Sequence, residues 1–297
     1  MASGSAAPHK SSNMTRRRNL ERHLRSMAEI RSVMSSMKTL AYMETRKLVR
    51  FSEAQQAVVE SMENVAGELL SFHPEILPEV ADSTTVFLVI GSERGFCGDF
   101  NRTLLRHLES AIDAVELPGA TVIAVGTKLH QLLDDLPLPL MRLEGPSVVE
   151  ETTDILNRVV EQLLTVQSDR GSISLYGLHH AGEDGVVAQR LLPPFQHLQH
   201  QPQRFPHPPM LNLTPSAFLV ELTDQYLFAA LNQMLYASLT EENHQRVAHL
   251  DEAVRHLDQE SEELRRQSNA LRQEEITEEI EIILLNAPSQ GKPAGAE

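Results

Sequence analysis

The chain has 297 residues, 41% hydrophobic and 23% charged, with a formal net charge of −15 and a pI near 5.3. That balance argues against nonspecific nucleic-acid binding, which needs clustered Lys and Arg to neutralise phosphates; the one basic cluster, Arg16, Arg17, Arg18, Arg22 and Arg25, reads as a helix face or an arm. A single cysteine, Cys97, excludes an internal disulfide, and no window approaches about 18 continuous apolar residues, so the sequence predicts a soluble chain without a membrane span.

Residues 1–15, rich in Ala and Ser, are expected to form a disordered arm. They faintly resemble a transit peptide, and Met14 is an alternative start. From there a helix is predicted over 16–72, because residues 9–66 contain neither Gly nor Pro. The span without breakers would reach roughly 85 Å if fully helical. Its apolar residues suggest one seam through Leu20, Leu24 and Met27 and a displaced one through Ile30, Val33, Met37 and Leu40.

The period then changes, and residues 80–195 read as a Rossmann-like α/β domain. Thr85–Gly91, Ala120–Gly126 and Ser172–Tyr176 are short apolar runs rich in β-formers. Helical stretches near 101–116, 127–135 and 148–167 separate them, which implies a parallel sheet with crossover helices. Val186–Leu192 is expected as an edge strand. Seven prolines between Pro193 and Pro215 exclude a continued helix or central strand, so 196–214 reads as an extended connector.

A second helix is predicted over 215–286, with Thr214 or Ser216 near its N-cap and Pro215 in its first turn. Without Gly or Pro from 216 to 287, it could run about 105 Å. Val247, Leu250, Val254, Leu257, Leu264 and Leu271 follow heptad steps, with Ser261 and Ser268 between them. After Leu271 the apolar pattern jumps to Ile276, Ile280 and Ile283, suggesting a phase shift. Residues 287–297 are expected to be a disordered tail.

Long helices of this kind gain most of their stability by burying a stripe, so the two ends are expected to pair as an antiparallel coiled coil around the inserted domain. Charge supports the pairing. Residues 10–50 carry eleven Lys or Arg against three acids, and residues 241–281 carry thirteen acids against five Arg. Surface ion pairs are worth roughly 0–1 kcal/mol each, so this asymmetry would set orientation more than stability.

Chemistry-bearing groups are few. The glycine-rich loop Gly91–Asn101 stands where a mononucleotide fold cradles phosphate. It lacks the Lys-Ser/Thr ending of a P-loop and the spacing of a dinucleotide fingerprint, so a tight turn is the simpler reading. Cys97 has no placed His partner. His179, His180, His197, His200 and His207 lack the carboxylate or Cys spacing that would complete a metal site. The acids of the second long helix follow outer-face spacing. Neither a cofactor nor a metal is implied, and no nucleophile, base and orienter come together.

Three blocks together resemble the gamma subunit of F-type ATP synthases: Leu24–Leu48, the loop SERGFCGDFN from Ser92 to Asn101, and the stretch from Arg246 through RQEEITEEI at Arg272–Ile280. The family's corresponding segments are a basic first helix, a D-R-G-L-C-G-G-L-N-like loop and an A-R-Q-A-A-I-T-Q-E-L-like final helix. The loop is the most specific of the three, through Arg94, Gly95, Cys97, Gly98 and Asn101. The resemblance implies a rotary shaft whose paired helices enter a ring of alpha and beta subunits, with the middle domain near the epsilon subunit and the membrane c-ring. Nucleotide chemistry would then belong to beta. By position, Met37, Arg246, Arg272, Gln273 and Thr277 correspond to residues that face the catalytic ring in the family.

Departures from the family pattern, such as Asp99 in place of the second loop glycine and VAHLDEAVRHLDQ after Arg246, suggest an atypical branch of the alternative, sodium-type F-ATPases of some bacteria. A coiled-coil adaptor without motor function would share the helices but not the loop. A nucleotide-binding enzyme built on the middle domain would instead bind and turn over nucleotide on its own.

Overall fold

The computed structural model describes residues 7–78, 83–115, 120–134, 138–182, 185–199 and 202–286. Residues 1–6 of the expected arm and the whole expected tail, 287–297, lie outside these. The chain divides into two compact units, one formed by Met1–Met37 with Leu250–Glu297 and the other by Lys38–His249. Helix α1 spans Ala7–Phe72 and α5 spans Pro215–Asn286. Residues 7–15, expected as part of the arm, are thus helical.

In the first unit the two helices run antiparallel. Arg17 lies 3.1 Å from Glu275, the Ser261 hydroxyl lies 3.9 Å from the Met27 sulfur, and Arg31 reaches Asp258. Of the displaced seam expected on α1 only Met37 is half-buried: Ile30, Val33 and Leu40 are 47%, 59% and 60% exposed, while Leu20, Leu24, Met27 and Met34 turn inward. The predicted phase shift on α5 does not occur either. Half-buried positions continue Leu257, Ser261, Leu264, Ser268, Leu271, Glu275, Glu278 in unbroken three- and four-residue steps, and Ile276, Ile280 and Ile283 stay exposed. The reason is geometric: a coiled coil keeps its heptad phase and tolerates a Ser or Glu in the seam, whereas a reading by hydrophobicity follows the isoleucines.

The second unit is built on a five-stranded sheet in the order β3-β2-β1-β4-β5. The strands are β1 Thr84–Ile90, β2 Thr121–Val125, β3 Leu140–Leu143, β4 Ile173–His180 and β5 Val186–Leu192. The first four are parallel and β5 pairs antiparallel with β4 at the edge. Helix α2, Phe100–Val115, and the single turn α3, Thr127–His130, follow β1 and β2; α4, Thr152–Arg170, crosses back from β3 to β4. β3 was not expected. It is four residues long, flanked by prolines, and takes its place by pairing with β2 through Val122–Val125. The helix expected over 127–135 shrinks to α3, because past His130 the backbone bonds tighten to i→i−3 turns, Leu132 N–H to Leu129 O and Leu133 N–H to His130 O. Among its described residues the connector holds one short 3-10 turn, Gln196–Leu198, and it ends where the Thr214 hydroxyl accepts the Ala217 N–H and caps α5.

Strand alternation sorts the core onto two faces. Val86, Leu88, Ile90, Ile123 and Val125 pack with α4, α5 and the end of α1, through residues such as Leu69, Leu156 and Met234. Phe87, Val89, Val122 and Ala124 face α2 and α3, against Leu104, Leu108 and Leu129. This two-faced burial fixes the C-terminal ends of β1 and β4, beside which the strand order reverses. In open α/β sheets that is where ligands bind.

Candidate functional site

The loop leaving β1 carries the most specific sequence signature, and the structure shows what occupies its backbone groups. Asn101 at the start of α2 ties the loop to itself: its Oδ1 accepts the Ser92 N–H at 2.9 Å and its Nδ2 donates to the Ser92 hydroxyl at 2.8 Å. Cys97 donates its thiol to the same hydroxyl at 3.3 Å, and burial pushes that thiol above its ordinary pKa. Cys97 is therefore a packed residue of the turn and not an activated nucleophile. Phe96 and Gly98 both take left-handed backbone angles, φ 63° and 59°, which carry the chain through the tight reversal.

The next two loop N–H groups, of Glu93 and Arg94, point at a carboxylate supplied by α5. Glu242 accepts them at 3.3 and 3.2 Å. Arg246, one helical turn on, pairs with Glu242, donates to Gly95 O at 3.1 Å and to Asn243 Oδ1 at 2.8 Å. All three α5 side chains are buried. Burial pushes the Glu242 carboxyl up, opposed by the Arg246 charge and by the loop N–H groups. One turn earlier, the Ser238 hydroxyl donates to Ile90 O at the end of β1. Successive loop N–H groups of this kind form an anion cradle in nucleotide-binding folds. Here the anion is the chain's own Glu242.

The neighbouring crevice is closed in the same way. The Glu93 side chain accepts the Thr127 N–H at 2.9 Å, the Thr127 hydroxyl at 2.7 Å and the Gly145 N–H at 2.7 Å. Burial raises this carboxyl, but those bonds outweigh it and hold the group below the usual carboxylate range. Gly126 makes the approach feasible: a Cβ there would stand 2.7 Å from Gly91 O. The site is a clasp that fastens the sheet to α5, with no open phosphate cradle.

The structure sorts the residues singled out from the sequence. Gly95, Cys97, Gly98 and Asn101 build the loop, and the Arg94 side chain is exposed while its backbone joins the clasp. Arg246, expected to face outward toward a partner ring, turns inward and is spent on the loop. Arg272, Gln273 and Thr277 are exposed on the first unit, where the Thr277 hydroxyl donates to Gln273 O; Met37 is half-buried. Glu242, Asn243 and Glu93 were missed. Glu242 had been counted with the outer acids of α5, although the inward steps Leu235, Ser238, Leu239, Glu242 and Arg246 place it on the buried face, and Asn243 lies one helical turn after Leu239 on that face.

His179 and His180 are buried on opposite faces of β4. His180 Nε2 donates to Phe100 O at 3.0 Å and its ring stacks on Phe100. His197 and His207 are exposed, and His200 lies outside the described residues. Among the described residues no group of three or more His, Cys, Asp or Glu could hold a metal ion, and no helix is long and apolar enough to cross a membrane.

The family model described as ATP synthase matches residues 16–285, nearly the whole chain. The chain belongs to the ATP synthase gamma family. Relatives agree with this membership. The ATP synthase gamma chain of Desulforamulus reducens is 23% identical over 283 residues, covering 91% of this chain and 98% of the relative. The chloroplastic ATP synthase subunit gamma of Zea mays is 29% identical over 190 residues, covering 57% and 53%. The fold is shared with a chain in the solved OSCP/F1/c-ring structure of the Euglena gracilis mitochondrial ATP synthase, at a TM-score of 0.64, 15% identity and coverage of 95% of this chain and 99% of that one. For this family member the loop signature is thus a structural joint.

Proposed function

We propose that this chain is the central rotor shaft of an F-type ATP synthase, coupling ion flow through a membrane sector to ATP synthesis or hydrolysis on beta subunits. The observation that carries the proposal is the apolar surface that helix pairing leaves uncovered on the first unit. Ile30 and Val33 on α1, and Ile276, Ile280 and Ile283 on α5, are 46–68% exposed. Contiguous exposed rows of this kind mark surfaces that other proteins cover. A surrounding ring of alpha and beta subunits would cover them, with Arg272, Gln273 and Thr277 as polar contacts beside them.

The chain carries no catalytic step in this reading. It acts by presenting a different side to each surrounding subunit, so that rotation biases each site's conformational equilibrium through differential contacts. Epsilon and a c-ring are the expected partners of the middle domain, at the cytoplasmic face of a bacterial inner membrane. The departures around Arg246 mark a divergent branch of the family. A non-motor adaptor would need neither the clasp nor a catalytic ring.

Co-expression with the alpha and beta subunits encoded beside it tests the proposal. The chain is expected to co-purify with them in a complex whose ATPase drives rotation; failure to enter that complex rejects the shaft. Within the complex, Arg272→Ala with Gln273→Ala is expected to lower ATPase coupling severalfold, and unchanged coupling removes those two residues from the contact surface.

A further inference from the structure

We infer that the second unit holds a binding site for a small aliphatic carboxylate, a molecule with one acidic head and an unbranched apolar tail, at the end of the sheet opposite the clasp. There the first residues of β1 and β4 and the last of β5 meet the first turns of α5 around a cavity of about 390 Å³. Its walls are mostly apolar, through Leu77, Ile173, Leu192, Pro194, Phe195 and Leu219. A preformed apolar cavity of this size with a few convergent polar groups is the usual form of a small-ligand site. The cavity lies wholly within Lys38–His249, so the inference does not rest on the shaft reading.

The polar groups choose the head. Ser174 is buried, its hydroxyl lies 2.7 Å from that of Ser83, and both residues line the cavity. Behind Ser174 stands the half-buried Arg190. Its Nη2 donates to Ser174 Oγ and its Nε to Leu192 O, both at 3.2 Å, and the guanidinium lies over the Tyr176 ring. These contacts aim the group without neutralising it; among the described residues no carboxylate pairs with Arg190. A guanidinium drawn partly out of water and left without an anion favours the binding of one, and a carboxylate suits its planar fork. The one acid among the lining residues, Asp224, stands at the exposed rim. Its charge repels a carboxylate at the mouth and so turns the head inward, toward Ser83, Ser174 and Arg190, leaving the apolar wall to the tail.

Titration calorimetry of the full-length chain with decanoate, kept below its micelle concentration, tests it. Decanoate is expected to bind saturably, about tenfold tighter than hexanoate because the added methylenes are buried, and about tenfold tighter than decanol because the head is charged. Arg190→Gln, which keeps an N–H donor but no charge, should weaken decanoate about tenfold and leave decanol within about twofold; Arg190→Lys should keep most of the preference for the acid. Val220 lines the cavity from a position 62% exposed, so Val220→Trp should block entry and remove both ligands while leaving helical circular dichroism unchanged. Absence of saturable binding, equal affinity for decanoate and decanol, or decanoate binding that survives Val220→Trp overturns the inference. So does a loss in Arg190→Gln that decanol shares in full, because Arg190 would then shape the fold without reading the charge of the head.

Discussion

The molecule uses an arginine and a carboxylate in two opposite ways. At the clasp, the Arg246 and Glu242 side chains are 5% and 4% exposed, Arg246 also donates to Gly95 O of the loop and to Asn243 of its own helix, and Glu242 also accepts two loop N–H groups. On the arm, Arg31 and Asp258 form a two-donor pair with both side chains 47% exposed. Water and salt screen the arm pair, so it can select a partner but adds little stability. The clasp pair has no water to fall back on. It is a joint whose halves are worth little together and cost much when separated.

Removing one half of the clasp should therefore give the largest effect. Glu242→Ala strands a buried guanidinium and two loop N–H groups, and is expected to cost about 3–5 kcal/mol in chemical denaturation of the chain. Replacing both, Glu242→Leu with Arg246→Met, should recover most of that loss, because the buried charge goes with its partner. A double variant as unstable as the single one would mean that the loop N–H groups, and not the ion pair, dominate the joint.

Next in size is an acid-sensitive site in the same unit. His179 is 3% exposed, its Nδ1 has no hydrogen-bond partner, and burial, with the neighbouring His180, lowers its pKa to about 4. The unfolded chain takes up the proton near pH 6.5 while the folded chain resists it. The neutral ring's contribution is thus fully present above pH 6.5 and is lost as pH falls through 6.5 toward 4, up to roughly 3 kcal/mol. Stability measured from pH 7 to pH 4.5 should fall along this course, and His179→Phe should flatten it. An unchanged slope in that variant would assign the acid sensitivity elsewhere.

The sequence showed the architecture because the physics behind it is local and periodic. Two spans without Gly or Pro became α1 and α5, and the runs at Thr85, Ala120, Ser172 and Val186 became strands, since breaker placement and apolar period act over a few residues. What it hid was decided over long distances. β3 exists only because β2 offers an edge, and Glu242 meets the Glu93 and Arg94 N–H groups across 148 or more positions of chain. The arm seam was misread for a related reason. Ile30, Val33, Ile276 and Ile280 are the most hydrophobic residues nearby, and hydrophobicity alone cannot tell a surface kept for a partner from one buried within the chain.

A smaller loss is expected where backbone approaches backbone beside the clasp. Gly126 has φ 111°, and an added Cβ would meet Gly91 O at 2.7 Å and Ser92 O at 2.8 Å. Neither neighbour is a flexible side chain that can move away. Gly126→Ala should cost about 1–3 kcal/mol, and it should loosen the loop, seen as faster amide exchange at Glu93 and Arg94. A stable variant with unchanged exchange would show that the β1 and β2 ends can separate without opening the joint.

The smallest effect belongs to the arm and tests the contrast most directly. Arg31→Ala removes a two-donor ion pair, yet both partners keep their water when separated. The denaturation midpoint of the chain should not shift measurably. If geometry governed the strength of these contacts, Arg31→Ala would rival Glu242→Ala; if exposure governs it, the two variants will stand at opposite ends of the series. A large loss in Arg31→Ala would mean that the arm pair is desolvated in solution, and that it fastens the helices as the clasp fastens the sheet.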